Sequence, residues 1–249
     1  MSRGLELCIR FGAIPNAMRY CGPGEAVEPF RRFLVRDPDF EFDDEQLVGL
    51  LERFEGLYPY LSVIAQRNGI DDPFDERVVE AYWIGNRLLD AMTSDDYVSI
   101  IERLCERGLP SSFAGSLIAD LPEGLVPHHN AHVCYVGPGR TAHTVRATIE
   151  TMDRCRIAPA KVLSIVDSNH LLAEQRSLRI ESDRFVLTEP ESRTIVYDAR
   201  ILQPVVGDVI AAHWGTAAYI LSSEQHTSLR TYDEKVREAI PIAQPDVTG

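Results

Sequence analysis

The densest group of side chains that could bind a metal ion lies between Pro127 and Cys134. His128, His129 and His132, together with the cysteine, could supply nitrogen and sulfur ligands to a transition metal. The proline and the apolar run after His132 favour an extended segment, in which His128 and His132 share one side and His129 faces the other. A polar cluster that hydrogen-bonds to helix ends remains the alternative interpretation.

Two further positions carry groups that could do chemistry. Glu80 lies one helical turn after Glu76, a spacing that occurs in carboxylate metal sites, although acidic residues near a helix start are also expected from the helix dipole. Prolines and glycines at 14–16 and 20–24 predict a rigid loop that aims Cys21 into a cleft. The alternative for Cys21 is a turn with a small buried residue.

The C-terminal third contains a cysteine and a histidine that stand apart from these groups. Cys155 lies between Arg154 and Arg156, whose charges predict a mildly lowered thiol pKa. His213 falls on a predicted strand over residues 207–215. Taken alone, neither residue indicates a function.

Helices are expected to position the first set of groups. Apolar residues recur every three or four positions from Asp43 to Asn68, with a kink or break predicted near Tyr58 because Pro59 follows it. Further helices are predicted from Asp72, from Ser94, over 111–120 and over 141–154.

After residue 155 the pattern changes to short segments rich in branched residues and separated by turn-forming residues. Such spacing predicts a small antiparallel barrel. Ser222-Ser223-Glu224-Gln225 resembles a capping box and predicts a final helix. The expected fold is therefore α+β, with a helix bundle over 1–154 and a barrel with a C-terminal helix over 155–249.

Composition limits the possible partners. The 249 residues include 25 Lys+Arg and 38 Asp+Glu, a net charge of −13, which disfavours binding to nucleic acids and to anionic membranes. No apolar run is long enough to span a bilayer, and the first residues do not form a signal peptide. Five cysteines without a CxxC pair indicate reduced thiols, so a cytoplasmic location is expected.

Residues 155 to about 240 resemble the HypC/HupF family of [NiFe]-hydrogenase maturation chaperones. Cys155 followed by Pro159 matches the family's opening, the segment 206–215 matches its Val-Gly-Asp-(apolar)-His-x-Gly motif, and 222–239 matches its acidic helix. The N-terminal part, through residues such as Pro15-Asn16, 72–75, 79–86 and 127–133, is similar to an uncharacterised bacterial and archaeal family associated with hydrogenase genes.

This resemblance implies an OB-like barrel in which Cys155 and His213 help to hold an iron ion carrying cyanide and carbon monoxide. It also implies a partner, the hydrogenase large subunit or another maturation protein. Cys155 departs from the family pattern because it is internal, whereas the chaperones carry this cysteine at their free N-terminus. A soft thiolate and a neutral imidazole are suitable ligands for such an ion.

Two hypotheses follow from the sequence. In the first, the protein is an accessory factor for hydrogenase assembly that binds a metal fragment or the immature large subunit through Cys155 and His213. In the second, it is a metal-dependent hydrolase or oxidase, with iron or zinc centred on the three clustered histidines and Glu80. A scaffold that binds another protein through the barrel and holds no metal is a third, simpler possibility.

Overall fold

The computed structural model describes residues 2–41 and 43–241, in which helices precede strands and a long helix follows them. No helix in this described part is long and apolar enough to cross a membrane. The prediction of a mixed α+β protein is confirmed. The helices are α1 (Arg3–Ala17), α2 (Val27–Leu34), α3 (Asp44–Glu52), α4 (Tyr58–Arg67), α5 (Glu76–Trp83), α6 (Ser94–Cys105), α7 (Ser111–Ala119), α8 (His129–Ala131), α9 (Ile149–Cys155) and α10 (Ser223–Ala239).

Within the described residues, seven strands follow α9, and five of them form one closed sheet in the order β1-β2-β5-β7-β6, because β1 pairs with both β2 and β6. β3 and β4 form a separate two-stranded sheet. β5 and β7 run parallel, and the other paired strands named here are antiparallel. The strands are β1 (Ala158–Ile165), β2 (His170–Gln175), β3 (Leu178–Glu181), β4 (Arg184–Leu187), β5 (Glu191–Val196), β6 (Val209–His213) and β7 (Thr216–Leu221).

Two apolar cores hold these elements together. The smaller core fills the closed sheet with inward-facing residues such as Val162, Leu171 and Ile210, because alternate residues of a strand face the same side. The larger core unites the helices with the outer side of the sheet, and it includes Trp214 of the β6–β7 turn and Leu229 of α10. Apolar contacts therefore continue across the boundary predicted near residue 154, and the division into two domains stays a prediction.

The helix boundaries confirm one prediction made from local sequence signals and correct two others. The predicted break before Pro59 is present, since α3 ends at Glu52 and α4 begins at Tyr58. The helix predicted over 141–154 begins only at Ile149, because the side chain of Thr148 caps it by accepting from the backbone N–H of Thr151. Residues 14–16, expected in a loop, belong to α1, which tolerates Pro15 in its last turn.

Candidate metal centre

The ends of α9 and β6 bring Cys155 and His213 to the same place. Cys155 is the last residue of α9, and His213 is the last residue of β6. The backbone N–H of Trp214 donates to the carbonyl of Arg154, which ties the β6–β7 turn to the end of α9. This turn contains only Trp214 and Gly215, with φ of 52° and 74°. Positive φ at both residues is typical of a tight type I′ hairpin, but it strains a tryptophan by about 1 kcal/mol.

A helical segment supplies the third side chain. Residues 129–136, expected to be extended, form the single turn α8 followed by a π-helical turn over His132–Val136. His128 caps this segment, because its Nδ1 accepts a hydrogen bond of 3.0 Å from the backbone N–H of Asn130. Helical geometry therefore separates His128 from the other two histidines and places His129 and His132 on one face, with their ring centroids 6.4 Å apart.

His129, Cys155 and His213 form a compact three-residue cluster. The sulfur of Cys155 lies 3.9 Å from Nε2 of His129 and 3.9 Å from Nε2 of His213. One potential ligand atom from each residue lies within 4.8 Å of the others, and all three residues are buried. A bound ion lies about 2.0 Å from a nitrogen ligand and about 2.3 Å from a sulfur ligand, which places the nitrogen and the sulfur about 3.5 Å apart. Small side-chain rotations would therefore bring the three residues around one ion.

Hydrogen bonds on the far side of each imidazole orient its ring. Nδ1 of His213 lies 3.2 Å from the carbonyl oxygen of Phe11, which can only accept, so Nδ1 carries the proton. The hydroxyl of Tyr82 donates to the carbonyl of Gly56 at 2.8 Å and can accept from Nδ1 of His129 at 3.1 Å. Nε2 of His213 is therefore the unprotonated nitrogen of its ring, as in histidines that ligate metals.

Nε2 of His129 has a second contact. It lies 3.1 Å from the carbonyl oxygen of Cys155, to which it donates when Nδ1 is the unprotonated nitrogen of the ring. A bound ion would take the place of that Nε2 proton, and Nδ1 would then donate to the hydroxyl of Tyr82. The three residues therefore fit a bound ion, and without one the thiol of Cys155 can donate to Nε2 of His213 at 3.9 Å.

Burial sets the protonation of the cluster. It lowers the pKa of His213 to about 3 and that of His132 to about 4, and it also holds the pKa of His129 well below its usual range. Neutral imidazoles can ligate a metal without first losing a proton. Burial raises the pKa of the Cys155 thiol above its ordinary value, an effect that a bound cation reverses.

The expected lowering of the Cys155 pKa by its arginine neighbours is wrong. The guanidinium of Arg156 turns away and pairs with Asp153 and Asp233, while that of Arg154 lies over the ring of Trp214. The indole N–H of Trp214 is the group that opposes the effect of burial and lowers the thiol pKa. This N–H has no hydrogen-bond partner of its own, so it is free to stabilise a thiolate at Cys155.

A cavity of about 40 Å³ adjoins the cluster, and Cys21 and His132 line it together with the three clustered residues. Cys21 therefore faces a cleft, as the sequence predicts. Asn16 positions its loop by donating to the carbonyls of Cys21 and Pro23 at 3.0 and 2.9 Å. His132 is held by the hydroxyl of Tyr60, 3.1 Å from its Nδ1. The space accommodates one or two water-sized ligands beside an ion.

The remaining candidates lie away from the cluster. Glu80 accepts hydrogen bonds from Gln225 at 2.7 Å and Asn86 at 3.4 Å, so its carboxylate ties α5 to α10. His128 has its Nε2 without a hydrogen-bond partner, and burial lowers its pKa to about 4. Within residues 2–41 and 43–241, the structure therefore brings together the predicted Cys155, His213 and His129, and it leaves out His128 and Glu80.

Sequence reasoning missed the aromatic residues that complete the centre. Tyr82 contacts Nδ1 of His129, Trp83 packs against the same imidazole with ring centroids 4.5 Å apart, and Trp214 covers Cys155. The only available signals were the position of Trp214 directly after His213 and the apolar run around Glu80.

Comparison with known proteins gives one match. Residues 1–242 match the model of a family of unknown function, DUF6390. No curated protein and no solved structure matches the chain.

Proposed function

The chain belongs to the DUF6390 family, whose description states no function, and we propose from the site itself that it binds one transition-metal ion or small metal fragment through His129, Cys155 and His213. We further propose that it serves in this way as an accessory factor for [NiFe]-hydrogenase assembly.

One observation carries the metal-binding proposal. Two imidazoles and a thiol bring three potential ligand atoms within 4.8 Å of one another inside the protein, while the opposite nitrogen of each ring faces Phe11 or Tyr82. The single proton of the thiol can serve only one of its two 3.9 Å contacts at a time, whereas one ion would bind all three atoms together.

The ligand types restrict the ion. Imidazole nitrogen and thiolate sulfur suit zinc and iron, and they do not suit magnesium or calcium, which prefer oxygen ligands. When bound, the ion would supply Lewis acidity and hold small ligands on its cavity side. The chain's own residues hold the ion, and Trp83 and Trp214 exclude water from it.

The hydrogenase part of the proposal rests on the likeness of the C-terminal third to HypC/HupF chaperones. It is supported by the closeness of Cys155 and His213, the two residues that this likeness implies, and by the closed five-stranded sheet that carries His213. Cys155 has only 8 % of its surface exposed. This burial favours carriage of a metal fragment over direct contact between the thiol and the large subunit.

Metal analysis of protein purified without chelators tests the ligand set. We expect about one zinc or iron ion per chain in the wild type and loss of that ion in Cys155→Ser and His213→Gln, since three-ligand sites rarely survive the loss of one ligand. The matched controls are Cys105→Ser and His170→Gln, because both side chains lie outside the cavity. Unchanged metal content in Cys155→Ser and His213→Gln would contradict the proposal.

The number of protons released on zinc binding shows whether Cys21 is also a metal ligand. The imidazoles are neutral, so we expect one proton per ion at pH 7 if Cys155 is the single thiol ligand. Burial raises the pKa of Cys21 to about 12, so its coordination would release a second proton. If the wild type releases one proton per zinc ion, Cys21→Ser should release one as well. If the wild type releases two, Cys21→Ser should release fewer.

Capture of the immature hydrogenase large subunit tests the proposed role in assembly. We expect wild-type protein loaded with the metal to capture the subunit and Cys155→Ala to capture less of it. Equal capture by both proteins, or no capture by either, would argue against this role. The metal-binding proposal would survive such a result, because metal analysis measures it separately.

A metal-dependent enzyme is the second candidate, and the adjoining cavity favours it. Catalytic zinc sites combine three protein ligands with an open position, which a cavity of about 40 Å³ beside His129, Cys155 and His213 provides. The centre of such an enzyme would differ from the predicted one, since Glu80 and His128 lie elsewhere. Hydrolysis of model esters by zinc-loaded protein, abolished in His213→Gln, would support this candidate.

A further inference from the structure

A second pocket lies on the opposite side of the chain segments that carry the metal cluster. Its volume is about 360 Å³, within the range of small-molecule sites. The outer face of the closed sheet contributes Lys161 of β1 and Val209 of β6, and α10 covers the other side with Arg230 and Arg237. Leu187 of β4 closes one end.

The charge of this pocket differs from that of the protein. Its lining contains five basic side chains, Arg156, Lys161, Arg176, Arg230 and Arg237, and three acidic ones, Glu174, Asp233 and Glu234. The pocket is therefore positively charged in a chain whose net charge is −13. A concentration of basic groups against the overall charge attracts anions to this one place.

Two of these cations have no carboxylate within ion-pair distance. Among the described residues, neither Lys161 nor Arg230 forms an ion pair or a side-chain hydrogen bond. The buried Arg156 pairs with Asp153 through its Nε at 3.2 Å, yet its Nη1 lacks a hydrogen-bond partner and lies 3.8 Å from the carboxylate of Asp233. An unsatisfied N–H of a buried guanidinium costs free energy unless a ligand accepts from it.

The acidic residues of the lining do not cancel this excess. The carboxylate of Asp233 is engaged, since it accepts from Asn130 at 2.7 Å and from Arg237 at 3.0 Å. Glu174 and Glu234 are exposed to solvent, as Lys161 and Arg230 are, so water screens these four charges alike and the lining keeps its excess of basic groups. Nη1 of Arg156 and the two surface cations without ion pairs form the anion-binding part of the pocket.

The rest of the lining is apolar. Pro159, Leu187, Pro190 and Val209 offer a surface on which an uncharged ring or chain can pack. We propose that this pocket, between the closed sheet and α10, binds a small molecule that carries a phosphate group on an apolar or ring-bearing body. Lys161, Arg230 and Nη1 of Arg156 contact the phosphate, because arginine and lysine are the side chains that proteins use to bind phosphate oxygens.

Calorimetric titration of the full chain tests this proposal with adenosine monophosphate, adenosine and inorganic phosphate as probes. We expect wild-type protein to bind the nucleotide, to bind inorganic phosphate more weakly and not to bind adenosine. Lys161→Gln and Arg230→Gln should each weaken nucleotide binding by about tenfold, the effect of losing one charge-assisted hydrogen bond. Both side chains are exposed, so these variants keep the fold.

Arg184→Gln is the matched control, because it removes one exposed positive charge outside the pocket. It should bind the nucleotide as the wild type does. Equal affinity in all the variants, equal binding of adenosine, or no binding of either phosphate compound would overturn the proposal. If the protein bound inorganic phosphate but not the nucleotide, the proposal that the ligand carries an apolar or ring-bearing body would be wrong. None of these outcomes depends on the metal, whose content should stay the same in all the variants.

Discussion

Two buried clusters of polar side chains are carried by the same two segments of the chain. They differ in whether charged partners neutralise their polar groups. His129 and Cys155 face the metal cluster, whereas the next residues, Asn130 and Arg156, face a network around Asp233. In the network, carboxylates meet guanidinium and amide donors, so nearly every charge has its partner. In the cluster, neutral groups meet, since two imidazoles turn Nε2 toward the thiol of Cys155.

The difference separates a structural centre from a binding centre. The side chain of Asn130 donates to the carbonyl of Ile157 at 3.1 Å and accepts from its backbone N–H at 2.7 Å, which fastens the helical segment to the start of β1. A paired network of this kind holds segments in place, and Nη1 of Arg156 is the atom that it leaves without a hydrogen-bond partner. The adjacent cluster gains this rigidity and keeps its own ligand atoms available.

Acid should reveal the difference between the centres most strongly. The unfolded chain binds protons at histidines below about pH 6.5, whereas His128, His132 and His213 stay neutral down to a pKa of about 4, 4 and 3, and the pKa of His129 is also strongly lowered. The free energy of unfolding of chelator-treated protein should therefore fall by about 5 kcal/mol per pH unit below 6.5. Urea unfolding between about pH 7 and pH 5 measures this loss.

One variant assigns part of that slope to a buried histidine. His213→Gln should make it shallower by about 1.4 kcal/mol per pH unit, because one group no longer titrates. A pH-independent free energy of unfolding over this range would contradict the neutral state of the cluster.

The paired network should respond to loss of a charge. Arg156→Met leaves Asp153 and Asp233 buried without their shared cation, so we expect unfolding to become easier by about 3–5 kcal/mol, measured by urea titration at neutral pH. Arg179→Met removes an exposed arginine and should cost at most about 1 kcal/mol. Loss of metal from folded Arg156→Met protein would show that the two centres are not separate.

Local signals in the sequence predict much of the fold. The capping box at Ser222 and Gln225 begins α10 as expected, because a capping side chain acts on its own helix. The segment 129–136 was predicted wrongly for the opposite reason. Its branched residues favour a strand, but packing of two imidazoles against Tyr60 and Tyr82 outweighs that preference.

The candidate centre is only partly predictable from the sequence, because contacts between residues far apart in the chain decide which side chains meet there. Motif resemblance gives Cys155 and His213, which lie 58 residues apart and meet through a hairpin tied to α9. The choice of His129 among three neighbouring histidines depends on which rings find partners for Nδ1, and those partners are distant in sequence. Tyr82 is 47 residues from His129, and no spacing rule connects them.

Removing one hydroxyl tests this choice of histidine. Tyr82→Phe deletes the group that holds Nδ1 of His129, and loss of such a contact lowers metal affinity by about 10–100-fold. Tyr60→Phe is a close match, since that hydroxyl lies at the same distance, 3.1 Å, from Nδ1 of His132. Zinc competition titrations should show a loss in Tyr82→Phe alone. A loss in Tyr60→Phe instead would replace His129 by His132 in the ligand set.

The smallest expected effect concerns the indole above the thiol. Trp214→Phe keeps an aromatic ring over Cys155 and removes the N–H that lowers its pKa, so zinc affinity should fall by about 2–10-fold. Tyr219→Phe is the control, because it also removes one donor from an aromatic ring and its side chain does not line the cavity. Cobalt-loaded protein should show a shifted sulfur-to-metal absorption band in Trp214→Phe and an unchanged one in Tyr219→Phe. Identical bands in both variants would mean that the indole only fills space, and the strained φ of Trp214 would then serve packing rather than the metal centre.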